Sequence, residues 1–288
     1  MRLPLTILSG YLGAGKTTLI NRLLAEDHGL NLMVIVNDFG SVNIDAALIA
    51  EATDQTIALT NGCVCCSMEA DLFMALNAAL DRDPRPDHLI VEASGIADPA
   101  AIAAAAIAEP EIGYGGILTL VDALNIDAQL ADPELAPQIA QQIAAGDLTL
   151  ITKTDSAKPE LIARLKDLGA RNPAPLGDVP LAPLLFDMVP LPRSPRPAPH
   201  PAYAAWHHDS DTPISRAEMG DRLAARPEGL YRLKGTVLTD DGAYRIHVTG
   251  QHVEAKRTKA ERTNLVGLGL ASRIKAAEIE DWWQGATV

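Results

Sequence analysis

The stretch GYLGAGKT, residues Gly10–Thr17, decides the fold of this chain. It fits the pattern G-x-x-x-x-G-K-[ST] and follows an apolar run, Leu5–Ser9, that predicts a strand. The residues after it, Gly15–Ala25, have a helical pattern. This strand-loop-helix setting is the one in which the motif forms a phosphate-binding loop. An ordinary tight turn would explain the glycines but not a lysine followed directly by a threonine.

The residue types in this loop suit the phosphate groups of a nucleotide. Glycines let backbone N–H groups turn toward phosphate oxygens, and the start of the following helix adds a partial positive charge. Lys16 is expected to reach the β- and γ-phosphates, and the Thr17 hydroxyl to bind Mg²⁺. The residues predicted to contact the nucleotide through this loop are Gly10, Gly13, Ala14, Gly15, Lys16, Thr17 and Thr18.

Strand and helix patterns alternate outward from the loop as far as Gly169. The predicted strands are Leu5–Ser9, Leu32–Asn37, His88–Glu92, Gly116–Asp122 and Leu148–Thr152. The predicted helices between them are Gly15–Ala25, Glu69–Asp81, Ala97–Glu109, Pro133–Ala144 and Pro159–Gly169. The alternation predicts an α/β fold of the P-loop NTPase type, a parallel sheet with flanking helices, whose ligand lies beyond the carboxyl ends of the strands.

The chain length and the prolines indicate how the domains are divided. At 288 residues the chain favours a large domain and a smaller one, and ten of its twenty prolines fall between Pro173 and Pro201. We therefore predict a P-loop domain at 1–172, an extended connector at 173–201 and a smaller α+β domain at 202–288. In the last of these, the predicted elements are a helix from Ser215 to Ala225, strands at Tyr231–Leu238 and Tyr244–Thr249, an apolar run at Asn264–Leu268 and a helix from Ser272 to Trp283.

Composition excludes several classes of partner. The net charge is −13 and no basic stripe interleaved with aromatic residues occurs, so we expect no nucleic-acid partner. The most apolar stretch, Ala100–Ala108, is far shorter than the roughly 18 residues that cross a bilayer, so we expect no membrane span. The start of the chain leads straight into the loop and is interpreted as a strand, not a signal peptide. The only three cysteines lie within Cys63–Cys66, which favours a reducing compartment, the cytoplasm.

A second motif indicates which base is bound. The residues Thr152–Asp155, T-K-T-D, follow a predicted strand and resemble the Asn-Lys-x-Asp of GTPases, in which the aspartate accepts hydrogen bonds from guanine. Thr152, Lys153 and Asp155 are therefore predicted to contact the nucleotide, with Asp155 reading the base. Threonine replaces the usual asparagine, and an ordinary solvated loop is the alternative interpretation.

Acidic residues follow two of the predicted strands. Glu92 ends a buried strand, where a carboxylate holds Mg²⁺, and Gly95 is placed to offer a backbone N–H to the γ-phosphate. Asp38 and Asp45 lie where a switch loop is expected, and each could bind Mg²⁺, orient the attacking water or simply form a turn. The predicted catalytic residues are thus Lys16, Asp38 and Glu92, and the predicted Mg²⁺ ligands are Thr17, Glu92 and Asp38.

The segment Asn61–Cys66, N-G-C-V-C-C, holds three thiols within four residues. Thiolates at this spacing suit zinc or another soft or borderline ion, and three of them leave one position of a tetrahedron open. Cys63, Cys65 and Cys66 are therefore predicted to bind a transition metal. A cluster of small core residues and a redox switch are the alternatives.

Together these motifs resemble the CobW-like family of metal-associated P-loop GTPases, the CobW/HypB/UreG group. The resemblance rests on Gly10–Thr18, Asn37–Asp45, Asn61–Cys66, Glu92–Pro99, Val121–Ala123 and Thr152–Asp155, and on Gly229–Gly235 for the smaller C-terminal domain. This chain departs from the family in having only His207-His208-Asp209 where many members carry a long histidine-rich loop. It also has Asp38 where the family commonly has glutamate.

The resemblance implies a GTP-hydrolysing metallochaperone that uses GTP and Mg²⁺, binds zinc, or cobalt next, at the three cysteines and delivers it to a client metalloprotein. An alternative is a regulatory GTPase that times assembly of a client metalloenzyme and has a structural metal site. A small-molecule kinase would leave the cysteines unexplained. The oligomeric state stays open, with a homodimer as one arrangement.

Overall fold

The computed structural model describes residues 2–37, 56–59, 68–190 and 202–285. The described residues up to 190 form one compact unit, and those from 202 onward form a second. Each unit has a hydrophobic core of its own.

The first unit is built on a parallel sheet that, within the described residues, has seven strands in the order β3-β2-β4-β1-β5-β6-β7. The strands are β1 Leu3–Ser9, β2 Leu32–Asn37, β3 Thr56–Leu59, β4 His88–Glu92, β5 Ile112–Asp122, β6 Leu148–Thr152 and β7 Ala174–Pro175. The helices are α1 Lys16–Leu24, α2 Met68–Leu80, α3 Pro99–Ala108, α4 Ile126–Ala131, α5 Ala136–Ala145, α6 Pro159–Asp167 and α7 Ala182–Phe186. The predicted α/β fold is confirmed, although β5 begins before the predicted Gly116.

Both faces of this sheet are covered, as the near-continuous apolar strands predict. Successive residues of β1 alternate between faces, so Ile7 packs in one core cluster and Leu8 in the other. Residues of α2 and α3 complete the cluster around Ile7, and residues of α1 and α7 complete the cluster around Leu8. The central position of β1 places the loop that follows it between the ends of β4 and β5.

The strand registers bring several loops to one edge of the sheet. Leu8 of β1 lies beside Glu92 of β4, and Ser9 lies beside Thr119 of β5. Asp122, at the end of β5, lies beside Thr152 at the end of β6. The loops after β1, β4, β5 and β6 therefore emerge side by side, which is where an open α/β sheet binds its ligand.

The connector predicted over 173–201 begins too early. Ala174 pairs with Leu150 of β6, and the side chains of Leu181 and Leu185 are fully buried in the first unit. The Glu26 carboxylate accepts hydrogen bonds from the backbone N–H groups of Leu181 and Ala182, at 2.9 and 3.2 Å, and so satisfies the start of α7. Pro175 lies in the edge strand β7 and Pro183 lies in the first turn of α7, two positions that tolerate proline. Residues 191–201 of the predicted connector lie outside the described residues.

The second unit confirms the predicted α+β domain. Its five strands form an antiparallel sheet in the order β11-β10-β9-β12-β8. They are β8 Tyr203–Ser210, β9 Leu230–Thr239, β10 Gly242–Thr249, β11 His252–Thr258 and β12 Thr263–Leu270, with helices α8 Arg216–Ala224 and α9 Ala276–Trp283. The Ser215 hydroxyl accepts a hydrogen bond from the Glu218 backbone N–H at 3.0 Å, so Ser215 caps α8, which begins where the helix was predicted. Strands β8 and β11 were not predicted.

The alanine-rich run Ala100–Ala108 forms most of α3, which has ten residues. Among the helices in the described parts of the chain, none has both the length and the apolar character that crossing a membrane requires.

A buried histidine makes the stability of the first unit depend on pH. His88, at the start of β4, is 4% exposed, and its ring lies 4.5 Å from that of Phe186. The Thr6 hydroxyl donates to the Leu185 carbonyl at 3.0 Å, so its oxygen accepts from Nε2 of His88 at 2.9 Å. Burial lowers the pKa of His88 to about 4 from 6.5. The folded protein therefore holds a neutral imidazole, and protonation favours the unfolded chain.

We expect His88 to contribute stability fully above pH 6.5 and to lose it as the pH falls toward 4. The loss in the free energy of unfolding at pH 4 should be about 3 kcal/mol. Denaturant unfolding of the wild type and of His88→Gln, at pH 7, 5.5 and 4, measures it. The glutamine amide can still donate to Thr6 but does not titrate. The free energy of unfolding of the variant should therefore decrease less than that of the wild type between pH 7 and pH 4. Equal pH dependence in the two proteins would contradict the assignment.

Candidate functional site

The loop Gly10–Thr17 joins the end of β1 to the start of α1, as predicted. Gly10 has a φ of 141°, and a Cβ at this position would lie 2.5 Å from the carbonyl oxygen of Leu120 on β5. No other residue fits there without moving the strand. The close approach to β5 holds the first turn of the loop in place.

Lys16 is the first residue of α1, and it is 6% exposed. Its Nζ donates a hydrogen bond to the carbonyl oxygen of Gly10 at 2.8 Å, so the ammonium group lies back against the loop. A buried ammonium group is costly unless it is hydrogen-bonded or paired with an anion. The arrangement places a fixed positive charge where the phosphates of a nucleotide are expected.

Two of the predicted Mg²⁺ ligands lie together. The Thr17 hydroxyl donates to Oε1 of Glu92 at 3.2 Å, and Glu92 is 4% exposed at the end of β4. A hydroxyl and a carboxylate are the hard oxygen ligands that Mg²⁺ takes in nucleotide sites, so these residues fit the ion. The third predicted ligand, Asp38, lies outside the described residues.

The loop after β4 packs directly on the phosphate loop. A Cβ on Gly95 would lie 2.6 Å from Cδ2 of Leu12 and 2.8 Å from its backbone nitrogen. Beside it, the Ser94 hydroxyl is buried and has no hydrogen-bond partner among the residues that the structure describes. Movement of Gly95 therefore requires a matching movement of the phosphate loop.

The predicted base-reading loop is tied to the phosphate loop by its first residue. The Thr152 hydroxyl donates to the carbonyl oxygen of Ala14 at 2.8 Å, and Thr152 is 6% exposed. A threonine hydroxyl thus links the two loops where most GTPases have asparagine. The ends of β1 and β6, which are separated by β5 in the sheet, are joined across their loops.

The next residues of this loop are also held. Lys153 has a φ of 60°, and its Nζ lies 2.7 Å from Oδ2 of the buried Asp122. The same carboxylate accepts from the side-chain amide of Asn125 at 2.7 Å. Asp155 is exposed, so its carboxylate is accessible to a ligand. The site thus combines a fixed loop backbone with an accessible acid.

Sequence reasoning missed three glutamines of α5, Gln138, Gln141 and Gln142, that donate to the segment 95–98. Their signal was polar side chains within an otherwise apolar helical pattern, which alone does not indicate a partner.

The remaining predicted site residues, Asp38, Asp45, Cys63, Cys65 and Cys66, lie outside the described residues. In the described ranges, the structure brings together no group of three or more His, Cys, Asp or Glu side chains that could hold a metal ion.

Family models match both units of the chain. The model for the CobW/HypB/UreG nucleotide-binding domain matches residues 4–174. The model for the C-terminal domain of the cobalamin synthesis protein CobW matches residues 203–286.

Individual proteins are similar over part of the chain. The zinc chaperone YjiA of Escherichia coli is 37% identical over 198 residues, which cover 64% of this chain and 61% of that protein. The zinc-regulated GTPase metalloprotein activator 1 of Dictyostelium discoideum is 40% identical over 142 residues, 45% of this chain and 29% of that protein. The matched regions thus span less than two thirds of either relative. The crystal structure of Zn(II)-bound YjiA GTPase from E. coli aligns over 100% of both chains with a TM-score of 0.48 and 24% identity. On the two family matches, this chain belongs to the CobW/HypB/UreG family of nucleotide-binding proteins and carries a CobW C-terminal domain.

Proposed function

We propose that this protein is a GTPase that serves as a metallochaperone. It hydrolyses GTP, binds a transition metal, zinc first and cobalt next, at Cys63, Cys65 and Cys66, and delivers the metal to a client metalloprotein. The observation that carries the proposal is the link between Thr152 and Ala14, which joins the base-reading loop to the phosphate loop in one site. The two relatives, named as a zinc chaperone and a zinc-regulated GTPase metalloprotein activator, support it.

In this site, the guanine base, the phosphates and Mg²⁺ each have a residue that would bind them. The exposed Asp155 accepts from guanine, and Lys16, already turned into the loop, exchanges its bond to the Gly10 carbonyl for phosphate oxygens. Thr17 and Glu92 are the residues that would hold Mg²⁺, which withdraws charge from the oxygens of the β- and γ-phosphates.

Hydrolysis in this site is an in-line displacement. A water oxygen bonds to the γ-phosphorus and its proton passes to an oxygen of the phosphate. The bond from that phosphorus to the β–γ bridging oxygen breaks with its electron pair left on GDP, so that GDP and inorganic phosphate result. Lys16 stabilises the charge on the leaving oxygens. We assign the orientation of the water to Asp38, the acidic residue that directly follows β2.

The chain order supports coupling between the nucleotide and the metal. Residues 60–67, which include the three cysteines, follow β3, and the last residue of β3, Leu59, pairs with Asn37 at the end of β2. The strand β3, which precedes the cysteine segment in the sequence, therefore ends at the edge of the sheet from which the phosphate loop emerges. We propose that GTP brings the thiolates into metal-binding geometry and that hydrolysis releases the metal.

Because free thiolates need a reducing compartment, we place the protein in the cytoplasm.

The test measures zinc and cobalt affinity with a non-hydrolysable GTP analogue, with GDP and without nucleotide. We expect zinc to bind at least about tenfold more tightly with the analogue than with GDP, a coupling of about 1.4 kcal/mol. The double variant Cys65→Ala/Cys66→Ala should lose this binding while it retains GDP. Zinc affinity that is indifferent to nucleotide, or zinc kept through repeated turnover, would instead support a regulatory GTPase with a structural metal.

A further inference from the structure

The helix α5 buries polar side chains that the proposed chemistry does not use. Its sequence, APQIAQQIAA, has three glutamines among apolar residues, and Gln138 and Gln142 are 0% and 2% exposed. Burial of a side-chain amide costs free energy unless the amide is hydrogen-bonded. These two residues therefore need partners within the protein.

The partners are consecutive carbonyl groups of the loop after β4. Gln142 Nε2 donates to the carbonyl oxygens of Gly95 and Ala97, each at 3.1 Å. Gln138 Nε2 donates to the carbonyl oxygen of Ile96 at 2.5 Å. Because residues four apart lie on one face of a helix, both amides reach the loop from the same side. One helix face thus holds three successive peptide groups.

These bonds set the orientation of the loop backbone. In a trans peptide the C=O and N–H groups point in opposite directions, so carbonyls directed at α5 turn the N–H groups of the next residues, 96–98, away from it. The Ala97 N–H donates to the Ser94 carbonyl oxygen at 2.9 Å, and this bond holds the peptide group that carries the Gly95 N–H. On its other side the loop lies against the phosphate loop, since a Cβ on Gly95 would overlap Leu12. The loop is therefore held between α5 and the residues that contact phosphate.

We infer that Gln138 and Gln142 are positioning residues for GTP hydrolysis, an inference that rests on the GTPase activity proposed above. They hold the backbone of residues 95–97 in the orientation from which Gly95 meets the γ-phosphate, and they do so without touching the nucleotide. The hydrolysis step depends on this orientation. Affinity for GDP, which lacks the γ-phosphate, does not.

The test compares two substitutions of the same kind on the same helix. Gln142→Met removes the donor at nearly constant volume. Gln141→Met is the matched control, because Gln141 donates to the side chain of Asp98, at 2.9 Å, and not to a carbonyl group of the loop. We expect kcat for GTP to fall about 10- to 100-fold in Gln142→Met, while the affinity for GDP changes less than about threefold. Gln141→Met should stay close to the wild type in both.

A conservative variant separates positioning from packing. In Gln142→Glu the buried carboxyl group has a raised pKa and, once protonated, again donates to a carbonyl oxygen. Its kcat should therefore recover as the pH falls, relative to the wild type, whereas that of Gln142→Met should not. Unchanged kcat in a folded Gln142→Met protein, or equal losses in Gln142→Met and Gln141→Met, would overturn the inference.

Hydrogen exchange gives a readout that needs no catalysis. We expect the amides of residues 94–98 to exchange faster in Gln142→Met than in the wild type, in the presence of a non-hydrolysable GTP analogue. Equal exchange in the two proteins would overturn the positioning role. A wild-type protein that does not hydrolyse GTP would contradict the proposed function instead, and the exchange rates would still decide whether the glutamines hold the loop.

Discussion

Replacement of Lys16 by alanine is expected to lower kcat/KM for GTP by at least about a thousandfold, because it removes the fixed positive charge within the phosphate loop. Lys16 is 6% exposed and its Nζ is bound to the Gly10 carbonyl, so a cation from the solution cannot readily replace it in the loop. GDP should also bind more weakly, since the lysine is expected to contact the β-phosphate. Steady-state phosphate release and calorimetric titration with GDP measure the two effects.

Two further variants separate charge from geometry at this position. Lys16→Arg keeps the charge, but Lys16 is buried and its Nζ already lies 2.8 Å from the Gly10 carbonyl oxygen, so the longer, planar guanidinium cannot take the same position. We expect it to be nearly as inactive as Lys16→Ala. Lys158→Ala, at an exposed lysine, should leave kcat/KM unchanged. Activity of Lys16→Ala within tenfold of the wild type would mean that this loop is not where GTP is hydrolysed.

The first unit was predictable because its strands are buried on both faces. Such strands appear in a sequence as continuous apolar runs, and the motif at Gly10–Thr17 fixes where the first strand ends and the first helix begins. By contrast, β11 is largely exposed, and its sequence HVEAKRT has only two apolar residues, Val253 and Ala255, too short an alternation to predict a strand. An edge strand formed by pairing alone leaves little pattern in its residue types.

The predicted start of the connector was wrong for a different reason. Proline density predicts an extended chain, but the sequence does not tell whether a proline lies in a free segment or in the first turn of a helix. The buried Leu181 and Leu185 decide the matter, through contacts with α1 and the sheet that are distant in sequence.

In the candidate site, too, some features follow from local sequence patterns and others depend on contacts that are distant in sequence. The placement of Lys16, Thr17 and Glu92 was predictable, because each has a fixed distance in sequence from the end of β1 or β4 and a residue type that the proposed chemistry requires. Gln138 and Gln142 were not, because their role depends on contact with carbonyl groups more than 40 residues earlier in the chain. Every residue type carries a backbone carbonyl group, so the sequence does not show which residues accept these hydrogen bonds.

Replacement of Asp155 by asparagine is expected to change which base the protein accepts. An aspartate carboxylate accepts from both the ring N–H and the amino group of guanine, whereas asparagine offers one acceptor and one donor. Xanthine carries a carbonyl oxygen in place of that amino group and so matches asparagine. We expect affinity for GTP to fall roughly a hundredfold and affinity for xanthosine triphosphate to rise by a similar factor. Competition binding of the two nucleotides to the wild type and the variant measures the exchange.

The structure makes this exchange of preference a clean test of base reading. Asp155 is exposed, while the preceding residues are held by the bond from Thr152 to Ala14 and the ion pair of Lys153 with Asp122, so an isosteric change should not move the loop. Asp167→Asn, at an exposed aspartate on α6, is the matched control and should keep the preference for GTP. If Asp155→Asn also keeps it, the loop is an ordinary solvated turn and the base is read elsewhere. If the preference reverses, Asp155 reads the base, and the Thr152 hydroxyl does the work of the usual asparagine in holding the reader beside the phosphate loop.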